Sequence, residues 1–146
     1  MSKARLAISH REDDGSGCLL SVEFHYQTDE RPAYLRFSFA NQKDEGFDSA
    51  NPIVCDLGFD PLMRMLTVLR GEAETPNGGK PLQSAGGAKV AIRGMEGGRF
   101  ALAAMDDRGL SPVRSQILLE RHEATGLRVS IESSMFFFSF IRGITP

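Results

Sequence analysis

Apolar and polar residues alternate with a period of two along several stretches of this chain, and one stretch switches to a period near 3.6. Segments 3–10, 18–27 and 33–41 place Leu6 and Ile8, then Leu20, Val22 and Phe24, then Leu35, Phe37 and Phe39 at every second position, and a shorter apolar run follows at 52–57. Such alternation predicts half-buried strands, because successive side chains of a strand point to opposite faces. Turn-forming clusters separate the segments. From Asp60 the spacing changes: Leu62, Met65, Leu66 and Leu69 follow the i, i+3, i+4, i+7 rule of one helical face. Asp60 suits a cap, Pro61 the first helical position and Gly71 a left-handed stop. Segments 88–94, 98–106, 112–122 and 126–132 then alternate again, with Val90 and Ile92, Phe100 and Leu102, Ile117 and Leu119, and Val129 and Ile131 on one face.

The helical stretch LMRMLTVLRG (62–71) has an echo near the end of the chain, MFFFSFIRG (135–143), offset by 72 residues from Met63 to Met135. Taken alone, 134–141 is ambiguous. Phe136, Phe138 and Phe140 alternate as in a strand, whereas Ser133 suits a helix cap and Arg142-Gly143 a helix end. The echo decides for a helix and points to a unit used twice. The expected fold class is α+β: two repeats of a four-stranded antiparallel sheet followed by a helix. The repeats span roughly 1–74 and 86–146, and a polar, Gly/Pro-rich linker over 75–87 joins them. Each repeat alone would leave an apolar sheet face uncovered, so the two are expected to pack as one domain over 1–146.

Composition is compatible with one proper core: 41% of the 146 residues are hydrophobic. The first residues lack the apolar stretch of a secretion signal, and no run approaches the roughly 20 apolar residues of a membrane span. These points predict a cytoplasmic protein with no membrane partner. Cys18 and Cys55 are isolated, without a CxxC or a histidine cluster nearby, so they read as reduced core thiols. Phosphate-loop, dinucleotide, zinc-protease and serine-hydrolase motifs are all absent, and His10, His25 and His122 lie far apart. No catalytic residue, metal or cofactor is expected. Asp106-Asp107-Arg108-Gly109 reads as a hairpin turn.

Net charge is −2, yet the charges are unevenly placed. With the large apolar residues facing inward, period-two geometry sends Lys3, Arg5, Arg36, Lys89, Arg93, Arg99, Arg114 and Arg128 outward, against Glu23 and Glu120. Tyr34 and His25 share that outward face, among small residues such as Ser21, Ser38, Ala91, Ala101 and Ala103. Cations beside a ring on an open sheet suit single-stranded nucleic acid, where phosphates meet Lys and Arg and bases stack. Basic strand residues also serve simply to keep a sheet soluble and its edges unpaired.

The twofold strand-strand-strand-strand-helix order, with the helix ends LMRMLTVLRG and MFFFSFIRG, resembles the Whirly family of single-stranded DNA-binding proteins. SKARLAI (2–8) on the first strand is similar to a lysine-rich stretch of the plant members, although a glycine is missing. The resemblance implies a sheet surface that holds single strands, DNA favoured over RNA, with little sequence preference, in transcription or recombination. It also implies helices that pack subunits into homo-oligomers, dimers or tetramers. Met135, Phe136, Phe137 and Phe140 are the expected interface, since 135–141 is apolar around nearly its whole circumference. Two other readings stand beside this one. One is a protein-assembly module that uses the same face and the Phe-rich end. The other is a small ligand-binding barrel or enzyme with a cavity lined by Phe24, Phe37, Phe39 and Phe100.

Overall fold

The computed structural model describes residues 5–136 and Phe138. Two antiparallel sheets, each followed by a helix, form an α+β fold. In the first sheet β1 (Arg5–His10), β2 (Cys18–His25) and β3 (Tyr34–Lys43) pair in sequence. The far end of β3 folds back onto the two-residue β4 (Gly46–Phe47), and the body of β3 pairs with β5 (Ile53–Leu57). The second sheet is a plain meander of β6 (Leu82–Gln83), β7 (Lys89–Gly94), β8 (Phe100–Asp106) and β9 (Val113–Leu119).

After the first sheet comes α1 (Phe59–Leu69), which buries Leu62, Met65, Leu66, Val68 and Leu69. Its end is a Schellman turn. Gly71, at φ +77°, donates its N–H to the Val68 carbonyl, and Glu72 donates to Thr67. The start differs from expectation: Gly58, not Asp60, is the N-cap, and Pro61 stands two residues inside. Asp60 instead pairs with Arg64 one turn on, at 3.0 Å. That places an acid where the positive helix end favours it.

The second helix corrects the sequence reading. Segment 126–132 is not a strand; it lies inside α2 (Arg121–Phe136), which begins directly after β9. Val129 and Ile131 therefore do not share a face: Val129 is 51% exposed and Ile131 is fully buried. The buried positions are Ala124, Leu127, Ile131, Met135 and Phe138, spaced by three and four. The fourth strand of the second repeat is supplied instead by β6, inside the stretch read as linker. Of the helix expected over 134–141, residues 134–136 lie at the end of α2, and Phe137 and Phe140 lie outside the described residues.

The two halves share one plan, in a register other than that of the echo. Leu57 and Leu119 each end the last strand before a helix, 62 residues apart. At that offset Leu62 matches Ala124, Met65 matches Leu127 and Leu69 matches Ile131, all buried. The visible echo between 63–71 and 135–143 is ten positions out of this frame, so it is not the structural repeat. One apolar cluster draws on both sheets and both helices, with Phe37, Phe39, Leu102, Leu119 and Leu127 at its centre. Burying side chains of this size stabilises by about 1.5–3 kcal/mol each. A polar tie joins the sheets at its rim. Ser115 Oγ donates to Asn41 Oδ1 at 2.7 Å, Asn41 Nδ2 donates to the Arg114 carbonyl at 3.0 Å, and Cys18 Sγ lies 3.2 Å from Ser115 Oγ.

Candidate nucleic-acid interface

The outer face of the first sheet is ordered by register. Arg5 faces Glu23, Glu23 faces Arg36 and Arg36 faces Asp56, so one row of alternating charge crosses four strands. Asp56 is the acid that sequence reasoning left off this face, because β5 was too short to be assigned firmly. Arg36 meets it with both arms, Nε to Oδ1 at 2.8 Å and Nη2 to Oδ2 at 3.1 Å. This fork geometry is the strong form of an arginine–carboxylate pair. Burial pushes the Asp56 carboxyl up, but the hydrogen bond and charge of Arg36, with Arg31, outweigh it and hold the group below the usual carboxylate range. The same bond to Asp56 raises the Arg36 guanidinium above its ordinary value. Arg5, exposed at the edge, donates to Ser21 Oγ at 3.0 Å.

Tyr34 and His25 are cross-strand partners on this face, with their rings stacked at 4.7 Å. The tyrosine is no open platform. Arg31, from the β2–β3 loop, lays its guanidinium 3.6 Å from the ring centroid, and Tyr34 is only 9% exposed. The sequence offered no sign of this cover, because Arg31 lies in a loop with no periodicity to aim it.

The second sheet presents a different surface. Lys89, Met105 and Arg114 form one outer row, Ala91, Ala103 and Gln116 the next, and Arg93, Ala101 and Leu118 the third. Arg99 precedes β8 in extended conformation and continues the same face. Among the described residues neither Lys89 nor Arg114 has an ion-pair partner, and no strand residue of this face is acidic. Arg93 lies 3.7 Å from Glu74, both largely exposed, a pairing of little energetic weight. Arg99 donates to the Glu96 carbonyl at 3.3 Å, leaving its charge uncompensated by that bond. The face carries no aromatic ring among the described residues, since Phe100 points inward to the core.

The ten expected binding residues are thus dispersed. Lys89, Arg93, Arg99 and Arg114 share the second sheet. Arg5, Arg36, Tyr34 and His25 share the first, where acids match them. Arg128 leaves the sheets altogether: it is on α2, 3.9 Å from Glu132. Lys3 lies outside the described residues. Of the expected interface, Met135 is 9% exposed and packs into this chain's own core.

Among the grooves that open where a hairpin turn of one sheet borders strands of the other, two bear on the candidate faces. One, of about 430 Å³, runs between Gly15–Gly17 of the β1–β2 turn and Ala103, Met105, Arg114 and Gln116. The other, of about 380 Å³, runs between Ala85 and Gly86 of the β6–β7 turn and Tyr34 and Asp56. Of the two, the first opens onto a cation without an ion-pair partner among the described residues, Arg114.

This arrangement of two sheets and two helices recurs in solved structures. MRP1/MRP2 of Trypanosoma brucei match with a TM-score of 0.72 at 13% identity, over 97% of this chain and 89% of theirs. A guide-RNA-binding protein complex bound to a gRNA matches with a TM-score of 0.67 at 14% identity, over 95% and 93%. WHY1 of Arabidopsis thaliana matches with a TM-score of 0.63 at 11% identity, over 97% and 90%. The fold is Whirly-like. No protein-family profile matches the chain, and no curated protein sequence resembles it. At such identities the Whirly-like likeness is one of architecture, and the residues must carry the functional argument. No helix among the described residues is long and apolar enough to cross a membrane.

Proposed function

We infer that this protein is a non-catalytic binder of single-stranded nucleic acid, and that the outer face of the second sheet holds the strand. The observation that carries this reading is the row structure of that face: Lys89, Arg93, Arg99 and Arg114 surround a flat floor of Ala91, Ala101 and Ala103, with no acid among the strand residues. Small side chains let a sugar–phosphate backbone approach, and the cations release counterions from it. The groove beside Arg114 extends this path toward the β1–β2 turn. A solved structure of the same fold is a guide-RNA-binding complex with its RNA, which supports the class of ligand. With no ring on this face, contacts are to phosphates, so little sequence preference is expected.

Anisotropy of a labelled oligothymidine at two salt concentrations, with duplex as competitor, tests the reading. Binding that weakens steeply with salt and that duplex fails to displace is the expected result. Absence of binding at low salt overturns it. The resemblance drawn from the helix ends favours DNA, whereas one structural neighbour holds RNA; strands of one sequence in both chemistries separate the two. Self-association, which the resemblance implies, belongs to the same reading, and a monomeric mass by light scattering at micromolar concentration would remove it.

A further inference from the structure

The Tyr34 ring is an aromatic surface covered by one displaceable side chain beside an open groove. Its cover, Arg31, is held in place at 3.6 Å over the ring and by one 3.5 Å contact to Asp56 Oδ2. That carboxylate is already engaged by both arms of Arg36 at 2.8 and 3.1 Å, so Arg31 is its weaker partner. The loop around Arg31 is well tied, since Thr28 Oγ1 accepts from the N–H groups of Glu30 and Arg31 and the Arg31 carbonyl accepts from Thr28. The Arg31 backbone is therefore fixed while its side chain, 39% exposed, has somewhere to go. The groove of about 380 Å³ beside the ring is bordered by Arg31, Tyr34, Asp56, Gly58, Ala85 and Gly86.

We propose that Tyr34 and this groove form a subsite for one unstacked nucleobase of a bound single strand, opened when the Arg31 guanidinium leaves the ring. A base is a planar group of the kind that can replace a guanidinium at stacking distance on tyrosine. The attached phosphodiester, a monoanion, gives Arg31 an anionic partner of its own in place of a shared carboxylate. His25, stacked on the same ring at 4.7 Å, keeps the tyrosine in position during the exchange. The proposal rests on the single-strand reading above and adds a base contact that the second sheet lacks.

The chain supplies its own probe, for it has no Trp and only two Tyr, Tyr26 and Tyr34. In Tyr26→Phe, tyrosine emission reports Tyr34 alone. An oligothymidine is expected to quench it, whereas an abasic strand of equal length binds without quenching. Tyr34→Leu is expected to weaken the oligothymidine by about five- to hundredfold and leave the abasic strand unchanged. Arg31→Ala removes no side chain of the apolar cluster, and it should raise acrylamide access to Tyr34 while base-dependent quenching persists. Binding of both strands with no change in emission overturns the subsite and leaves the sheet reading standing. Binding of neither strand at low salt overturns both.

Discussion

Across β2, β3 and β5 one outer row reads Glu23, Arg36, Asp56; at the corresponding positions of β7, β8 and β9 it reads Arg93, Ala101, Leu118. The frames agree, because Asp56 and Leu118 each stand one residue before the leucine that ends the sheet. The chemistry does not. In the first sheet every charge of the row faces its opposite, and the arginine is locked by a two-armed bond. In the second the acids are gone, alanine has opened the centre, and the cations stand at the margins. An arginine in a strand therefore says little about ligands until its cross-strand neighbours are known. The same residue type stabilises one sheet and is available to a ligand on the other.

The largest effects should appear where the two halves are alike. Met65→Ala in α1 and Leu127→Ala in α2 are expected to lower stability by about 2–5 kcal/mol each, because both side chains are fully buried and leave cavities. Urea denaturation measures this. A harmless Leu127 substitution would show that α2 does not share the core with α1, and the comparison of halves would fail.

Next comes the contrast in charge. Lys89→Glu, Arg93→Glu and Arg114→Glu combined should cost single-strand affinity about a hundredfold or more at low salt, with the salt slope falling by roughly 0.7 for each cation lost. Their thermal stability should stay near that of the parent, since Arg93 and Arg114 are exposed. Arg36→Glu should behave the other way. It places a carboxylate between Glu23 and Asp56, and a loss of about 1–2 kcal/mol is expected once screening at the partly exposed Arg36 is allowed for. If Arg36→Glu abolishes binding and leaves melting unchanged, the roles of the two faces are exchanged.

Smaller still is the pH dependence that the first row confers and the second lacks. Folding holds the Asp56 carboxyl below its ordinary range. Its contribution is therefore complete above the unfolded value of about 3.9 and is lost as pH falls through the lower folded value. Asp56→Asn should flatten the acid limb of stability below about pH 4, read from denaturant midpoints across pH. The corresponding Leu118 has no proton to lose.

The least perturbing test uses the two thiols, both in the first sheet. Burial raises Cys18 and pushes Cys55 up to about 12. Folding thus favours the protonated thiol, and its contribution is intact below the unfolded value of about 8.5 and is lost as pH rises toward the folded one. At pH 8 a thiol reagent is expected to label neither cysteine in the native protein on the time scale that fully labels the unfolded chain. Labelling then reports opening of the first sheet alone.

Much of the frame could be read from alternation: β1, β2, β7, β8 and β9 fall within the segments with period two, β3 runs two residues beyond its own, and α1 begins one residue before the stretch with period 3.6. The first part of the second helix was missed for a physical reason. Arg128, Val129, Ser130 and Ile131 alternate in polarity, while the true stripe of Ala124, Leu127, Ile131 and Met135 begins with a small residue and passes Gly126, a poor helix former. β6 was missed because two paired residues make no pattern. The site was only half legible. Parity gave the outward direction of Lys89, Arg93, Arg99, Arg114, Arg36 and Tyr34, but direction does not reveal pairing. Asp56, which neutralises Arg36, and Arg31, which covers Tyr34, come from a five-residue strand and an aperiodic loop.

The match of Leu62 with Ala124, Met65 with Leu127 and Leu69 with Ile131 has a consequence for how such a chain changes over time. When a fold is built from two copies of one plan, a substitution harmful to both faces at once need be accepted in only one. Because both halves line one core, the freedom to diverge is confined to outward positions, as at Asp56 and Leu118.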